Sequence, residues 1–456
     1  MQDFTTGSIM RKLLMFSIPM IIGSLFQQLY GIVDAVVVGR FLGGGALAAV
    51  GISMSTFFFI SSMLFGFTTG ASVIISQFFG AKSHDELKKV VSTSIVFLTA
   101  LAVVLTVLGV AFAPFILRLL GAPADIFNYA LVYMRVQMAG LVFPVFFNMY
   151  TAYLRAVGNS RTPLYFLIFS TTFNGVLNIV LVLFLGLGLG AVAFGTVVAQ
   201  AIAAMLCILY TRKNARLLHV NRLSFDFSHF KSIIRYGMPA AIQLSLVSLA
   251  MLTITRLINS FGYEAMAGIT AAGRIDQMAI LPVITLSLAL STFVAQNMGA
   301  GLEERAIKGL LTILLCMVLL AAFISAIIIA IGPWLIAMFI DMNEPGADQI
   351  MQTGLNYLNI LVLFYFLFAI LFGFNGFFRG AGDAVIAMVF PVTSLTLRTL
   401  SAYGLVYFGG MGPEAVGWSI PIGWSITSIL SFVYFKKRLW VGKTVVREAN
   451  AKQAHT

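Results

Sequence analysis

Gln77-Phe78-Phe79-Gly80-Ala81 closes one long hydrophobic run, and Gln296-Asn297-Met298-Gly299-Ala300 closes another about 220 residues later. The correspondence extends outward in both directions. Upstream, Ile18-Pro19-Met20 is matched by Met238-Pro239-Ala240. Downstream, Leu154-Arg155-Ala156-Val157-Gly158-Asn159 is matched by Phe378-Arg379-Gly380-Ala381-Gly382-Asp383, and Tyr210-Thr211-Arg212-Lys213 by Tyr434-Phe435-Lys436-Lys437. One long unit has been duplicated in parallel orientation. When such halves are built of membrane helices, the arrangement is a transporter architecture.

The composition demands a membrane. The chain of 456 residues is 60% hydrophobic and 10% charged, against roughly 25% charged in a soluble domain, so it cannot cover a water-facing surface. Twelve apolar runs are long enough to cross the bilayer: 13–38, 47–78, 90–117, 128–153, 164–186, 190–211, 233–259, 265–298, 309–340, 351–377, 384–408 and 415–435. The expected fold is an all-α integral membrane protein with six spans per half. The expected organisation is an N-terminal lobe over 1–211, an interlobe linker over 212–231, a C-terminal lobe over 232–438 and a tail over 439–456.

Basic residues orient the chain. With the N-terminus inside, 22 of the 28 Lys and Arg fall on the cytoplasmic side, against Arg40, Arg118, Arg135 and Arg256 outside and Arg274 and Arg398 within spans. That asymmetry is the one cytoplasmic loops carry, so both termini and the linker are expected inside a cell inner or plasma membrane. The net charge of +12 is spread over membrane-flanking loops and needs no nucleic-acid partner. Cys207 and Cys316 lie inside spans without CxxC or Cys/His spacing, so neither a disulfide framework nor a metal site is expected. The first run is too long for a signal-peptide core and lacks a cleavage site. No phosphate loop of the GxxxxGK[ST] type occurs, which leaves an ion gradient as the energy source.

Polar side chains at membrane depth are costly and mark mechanism. Asp34 lies deep in the first span within Gln27-Gln28-Leu29-Tyr30-Gly31-Ile32-Val33-Asp34, and Gln27, Tyr30 and Asp34 recur at helical spacing on one face. It is the expected proton or cation coupling residue. Pro19, on the same span, removes one helical hydrogen bond and permits a kink, used either for packing or as a hinge. Pro239 is its repeat partner, yet the position matching Asp34 is Ile254. The halves share a scaffold and not an ion site.

These residues carry a resemblance. The two six-span halves, the Ile18-Pro19-Met20 segment, Asp34 followed by Val38-Gly39-Arg40-Phe41-Leu42-Gly43, and the Leu154–Asn159 loop resemble the multidrug and toxic compound extrusion (MATE) family, closest to its DinF-like branch, from about Gly7 to Lys437. The resemblance implies a V-shaped pair of helical bundles that expels amphipathic, cationic drugs or dyes in exchange for protons or sodium ions. It also implies that Asp34 is the N-lobe ion site. Many members carry Asn-Ile-x-Leu-Asp-Pro in the fifth span; here the run is Asn178-Ile179-Val180-Leu181-Val182-Leu183, with Val182 at the carboxylate position. Sodium-coupled NorM-like members use acids in the seventh and tenth spans, and 233–259 and 351–377 contain none, which favours protons.

Other polar positions remain two-valued. Asn174 and Asn178, one turn apart in the fifth span, and Thr196 and Gln200 in the sixth serve either a coupling network, substrate contact or adhesion between helices, as does Asn148 in the fourth. In the C-terminal half Arg274, Asp276 and Arg398 form a candidate polar cluster in which Asp276 is expected to pair with Arg398 and Arg274 to face a cavity or snorkel. Met54, Met63, Met138 and Met278 are candidates for an adaptable apolar pocket.

The expected function is therefore secondary active efflux of amphipathic compounds, with no cofactor, with membrane lipid as surroundings, and with a monomer as the working unit. The alternatives are a sodium-coupled drug antiporter and a flippase for lipid-linked sugars, which would need a strongly basic cavity. A major-facilitator fold is disfavoured by the loop Gly80-Ala81-Lys82-Ser83-His84-Asp85-Glu86-Leu87-Lys88-Lys89, which lacks the acid-and-arginine run of that class. An enzyme is disfavoured because no His lies in any span.

Overall fold

The computed structural model describes residues 2–342 and 345–447, which are helical wherever they are regular. The N-terminal repeat comprises α1 (Ile9–Phe41), α2 (Gly44–Gly80), α3 (His84–Leu119), α4 (Ala124–Ala139), α5 (Val142–Ala156), α6 (Arg161–Ile179) and α7 (Leu189–Asn214). The C-terminal repeat comprises α8 (Phe227–Asn259), α9 (Tyr263–Gly299), α10 (Glu303–Ala337), α11 (Ala347–Leu363), α12 (Tyr365–Ala381), α13 (Ala384–Tyr407) and α14 (Glu414–Lys436). Among the described residues, ten helices are long and apolar enough to cross a membrane, and two further pairs qualify when each is taken as one bent span. The protein is a multi-pass membrane protein.

Two of the spans are broken. Between α4 and α5 the axis turns by 47°, and between α11 and α12 by 51°. The first break falls at Gly140, where α7 comes so close that a Cβ would run into the side chain of Val197. The second falls at Phe364, whose backbone (φ −114, ψ 9) has left the helical region. The span 164–186 holds a further irregularity. Past α6 the chain widens into a π-helical turn over Val180–Phe184, at the position where many family members carry Asp-Pro.

The duplication is written in the backbone as well. Gly43 and Gly262 precede α2 and α9 with φ 87 and ψ 173, and φ 93 and ψ 179. A side chain is strained in that conformation, so both repeats need glycine there. In the loop after α5, Asn159 meets the Tyr210 hydroxyl at 3.2 Å; in the loop after α12, Asp383 accepts from the Tyr434 hydroxyl at 2.6 Å.

Compact units do not coincide with the sequence halves. One comprises Met1–Phe4 and Met15–Ala241; the other comprises Thr5–Leu14 and Ile242–Thr456. The linker 212–231 thus falls within the first unit. Both α1 and α8 run on unbroken while changing unit, α1 between Leu14 and Met15 and α8 between Ala241 and Ile242. Pro19 and Pro239 sit close to these changes, and each lacks the N–H that would bond the carbonyl one turn back.

Each displaced segment is clasped from the same repeat position. In the first unit Glu86 Oε2 pairs with His229 Nε2 at 2.9 Å, close to the start of α8. Asp226 caps that helix by accepting from Ser228 N at 2.8 Å and His229 N at 3.0 Å. These donors, that of His229 foremost, hold the Asp226 carboxyl below the usual carboxylate range. In the second unit the residue matching Glu86 is Arg305, which donates to Thr6 O at 2.7 Å and Gly7 O at 2.8 Å before α1.

The first unit buries a core formed by Val37, Val38, Ala49, Leu117, Tyr133, Met134, Met138, Val182 and Val192. In the second unit Trp440, beyond α14, is wholly buried against Phe377 and Phe435 and donates to Phe435 O at 3.2 Å. Residues 448–456 of the expected tail lie outside the described residues. Cys207 and Cys316 are free thiols.

Candidate ion-coupling site and its family

Asp34 is buried on α1, and three neighbours turn hydrogen-bond donors toward it. Asn178 Nδ2 donates to Oδ1 at 2.8 Å, and the Thr196 hydroxyl reaches Oδ2 at 3.4 Å. Asn174 satisfies its surroundings with its amide nitrogen toward Oδ1, 2.9 Å away, and its oxygen toward Thr196 N and the Tyr30 hydroxyl, each at 3.3 Å. Thr196 also has the Val192 carbonyl within reach at 3.1 Å, so its single proton can leave the carboxylate. Among the described residues, no basic side chain partners Asp34.

The local sequence explains the assembly. Tyr30 and Asp34 are one turn apart on α1, Asn174 and Asn178 one turn apart on α6, and Thr196 and Gln200 one turn apart on α7, so three two-residue stripes meet. The Tyr30 hydroxyl lies against Thr196 and Gln200. Gly195 lets Asn178 sit close, since a Cβ there would collide with Asn178 Oδ1. Asn174, Asn178 and Thr196 are buried, so the candidates of the fifth and sixth spans converge on the acid.

Other expected residues lie elsewhere. Gln27 is exposed on α1. Asn148 spends its amide on Pro144 O, one turn back on its own helix, at 2.8 Å. Of the four methionines, Met54, Met63 and Met278 are exposed, but Met138 must be withdrawn as a pocket residue. It is wholly buried in the first unit's core, against Gly109 of α3, because the missing side chain at Gly109 leaves room that the flexible thioether fills.

In the second unit the expected Asp276–Arg398 ion pair does not form. Asp276 on α9 instead accepts from the Tyr365 hydroxyl at 2.8 Å, because the break at Phe364 brings the first residue of α12 to it. Arg398 on α13 acts on Asp276 only through space and lies against Tyr357 of α11. Arg274 is exposed on α9, and nothing draws it into this cluster.

Sequence reasoning overlooked four tyrosine and glutamine positions. Tyr133, buried on α4, is close enough to Asp34 to feel its charge, and its hydroxyl accepts from Gln137 Nε2 at 3.3 Å. Tyr357 and Tyr365 complete the second cluster. Their signal was present only as polar atoms inside apolar spans.

Comparison with known proteins identifies the family. The MatE family profile matches residues 19–180 and 239–404, once in each repeat. The chain is 27% identical over 439 residues to "Probable multidrug resistance protein YpnP" of Bacillus subtilis (strain 168), covering 96% of this chain and 97% of that protein. It is 33% identical over 313 residues to "Probable multidrug resistance protein YoeA" of the same organism, covering 67% and 68%. The fold superposes with TM-score 0.88 on the "Crystal structure of MATE in the bent conformation", at 23% identity over 99% of this chain and 98% of that one. Members of this family are transporters and not enzymes, and the chain belongs to the MatE family.

Proposed function

We propose that this protein is a multidrug efflux antiporter that exports amphipathic cations in exchange for protons by alternating access. The observation that carries the reading is the surroundings of Asp34: a buried acid held by donors alone, with no basic partner among the described residues. Such a carboxylate can take either a proton or the positive charge of a substrate, and occupancy by one must weaken the other by linkage. Relatives named multidrug resistance proteins support the export of drugs. Both Asn174 and Asn178 turn amide nitrogens to the acid, which suits a carboxylate and its proton better than the converging oxygens a sodium ion requires.

The test is calorimetric binding of an exported cation across pH, in buffers of different ionisation enthalpy. Binding is expected to release a proton and to tighten as pH rises through the titration of Asp34. Purified protein in vesicles should then drive efflux under a proton gradient and not under a sodium gradient. Affinity independent of pH with no proton release would remove direct competition at Asp34; efflux driven by sodium alone would assign the other ion.

The same reading places both termini and the 212–231 linker in the cytoplasm of a cell inner or plasma membrane, with the monomer as the working unit. Residues 221–225 are exposed, so Arg222→Cys in a background with Cys207 and Cys316 replaced by Ser gives a reachable thiol. It should resist an impermeant maleimide added to intact cells and react after permeabilisation. Labelling of intact cells would reverse the orientation.

A further inference from the structure

The second unit contains two opposite charges, Asp276 and Arg398, that are each partly exposed and not paired with one another among the described residues. Asp276 commits Oδ1 to Tyr365. Arg398 lies close enough to act on it electrostatically, yet makes no ion pair with it among the described residues, and its buried Nε donates to nothing. Opposite charges that act on one another attract, even where both are partly exposed. Each instead engages a tyrosine, Asp276 with Tyr365 and Arg398 with the adjacent Tyr357. Both tyrosines are buried, so the separation is built into the helix packing.

Both remain partly exposed, so a group that reaches the two must satisfy both. A simple anion gains from Arg398 and is repelled by Asp276; a simple cation meets the reverse; a zwitterion is favoured at each end. The guanidinium fork suits carboxylate and phosphate oxygens alike. An aromatic wall stands beside the acid, with Trp424 packed at 6.4 Å from Tyr365 and at 5.1 Å from Phe368 between ring centres. This wall suits a hydrocarbon portion next to the head group.

We propose that the C-terminal unit holds a subsite for an amphiphile with a zwitterionic head, whose carboxylate or phosphate bonds Arg398 and whose ammonium faces Asp276. It deepens the efflux reading by naming a substrate chemistry and rests on that reading for the claim that the ligand is carried. Two sources offer this chemistry: a free amphiphilic solute, and a phosphoethanolamine lipid head.

The experiment uses the full-length protein in nanodiscs without any gradient. Three probes share a dodecyl chain and differ in head: N-dodecyl-N,N-dimethylglycine, dodecyltrimethylammonium and dodecanoate. The zwitterion should bind about tenfold more tightly than either single ion. Arg398→Gln should abolish that preference mainly by weakening the zwitterion and dodecanoate, while Asp276→Asn weakens the zwitterion and dodecyltrimethylammonium; Arg398→Lys should restore part of the dodecanoate binding. Unfolding temperature measured on each variant separates lost binding from lost fold. Repeating the titration in phosphatidylethanolamine and phosphatidylglycerol nanodiscs distinguishes the sources: suppression by the former identifies the lipid head as the occupant, and equal binding in both identifies a free solute. Equal wild-type affinity for the three probes, or a zwitterion preference unchanged in a folded Arg398→Gln protein, overturns the proposal. Because binding is read without a gradient, absence of driven cation efflux would overturn the function proposed above and leave this subsite standing.

Discussion

Vesicles containing Asp34→Asn protein should show gradient-driven efflux of a cationic dye reduced about 100-fold or more, the upper end of what one coupling interaction supplies. The substitution keeps shape and removes charge. An asparagine at position 34 can still turn its oxygen toward Asn178, so the meeting of α1, α6 and α7 is preserved and the protein should elute and melt as a folded species. What disappears is the capacity to hold a proton at one moment and a cation at another. Binding of the dye to the variant should lose its pH dependence together with its affinity. A folded variant that exports dye at the wild-type rate under a proton gradient would falsify the coupling role of Asp34.

Gly70→Leu should prevent the first unit from assembling. Gly70 of α2 faces the start of α8 so closely that a Cβ would stand 2.5 Å from Gly237 N and 2.6 Å from its Cα. Backbone cannot move aside as a flexible side chain can, so the cost exceeds the roughly 1–3 kcal/mol of ordinary overpacking. The expected result is aggregated protein on gel filtration in mild detergent, and a much lower unfolding temperature for Gly70→Ala. Gly51→Ala serves as the control, since no atom lies within 4 Å of a Cβ there. Equal stability of the Gly70 and Gly51 variants would mean that α2 and α8 do not need this close approach.

The repeat and the spans were legible because hydrophobic periodicity and repeated loop motifs are local properties of a sequence. Asp34 was legible for a related reason: an acid amid apolar residues on a helix face has few uses. Asn174, Asn178 and Thr196 could be proposed but not chosen, since their meeting depends on three helices that are distant in sequence. Tyr133 was missed because an uncharged phenol inside an apolar span draws no notice by itself. The expected Asp276–Arg398 pair failed through a backbone event, the break at Phe364, which no proline announces. Met138 was misassigned because burial at that site depends on an absent side chain on another helix.

The exchange of helix beginnings between the compact units bears on how such a chain could have arisen. A single ancestral repeat, folded alone, would have offered a vacant seat for a helix start and carried a helix start with nowhere to lie. Two copies exchanging those segments would have satisfied each other as a symmetric dimer. In the joined chain the two repeats differ at the matching position, aspartate at 34 and isoleucine at 254. The same interlocking means that a polypeptide cut within 212–231 yields fragments that each lack a piece the other supplies, so neither half can be regarded as an autonomous folding module.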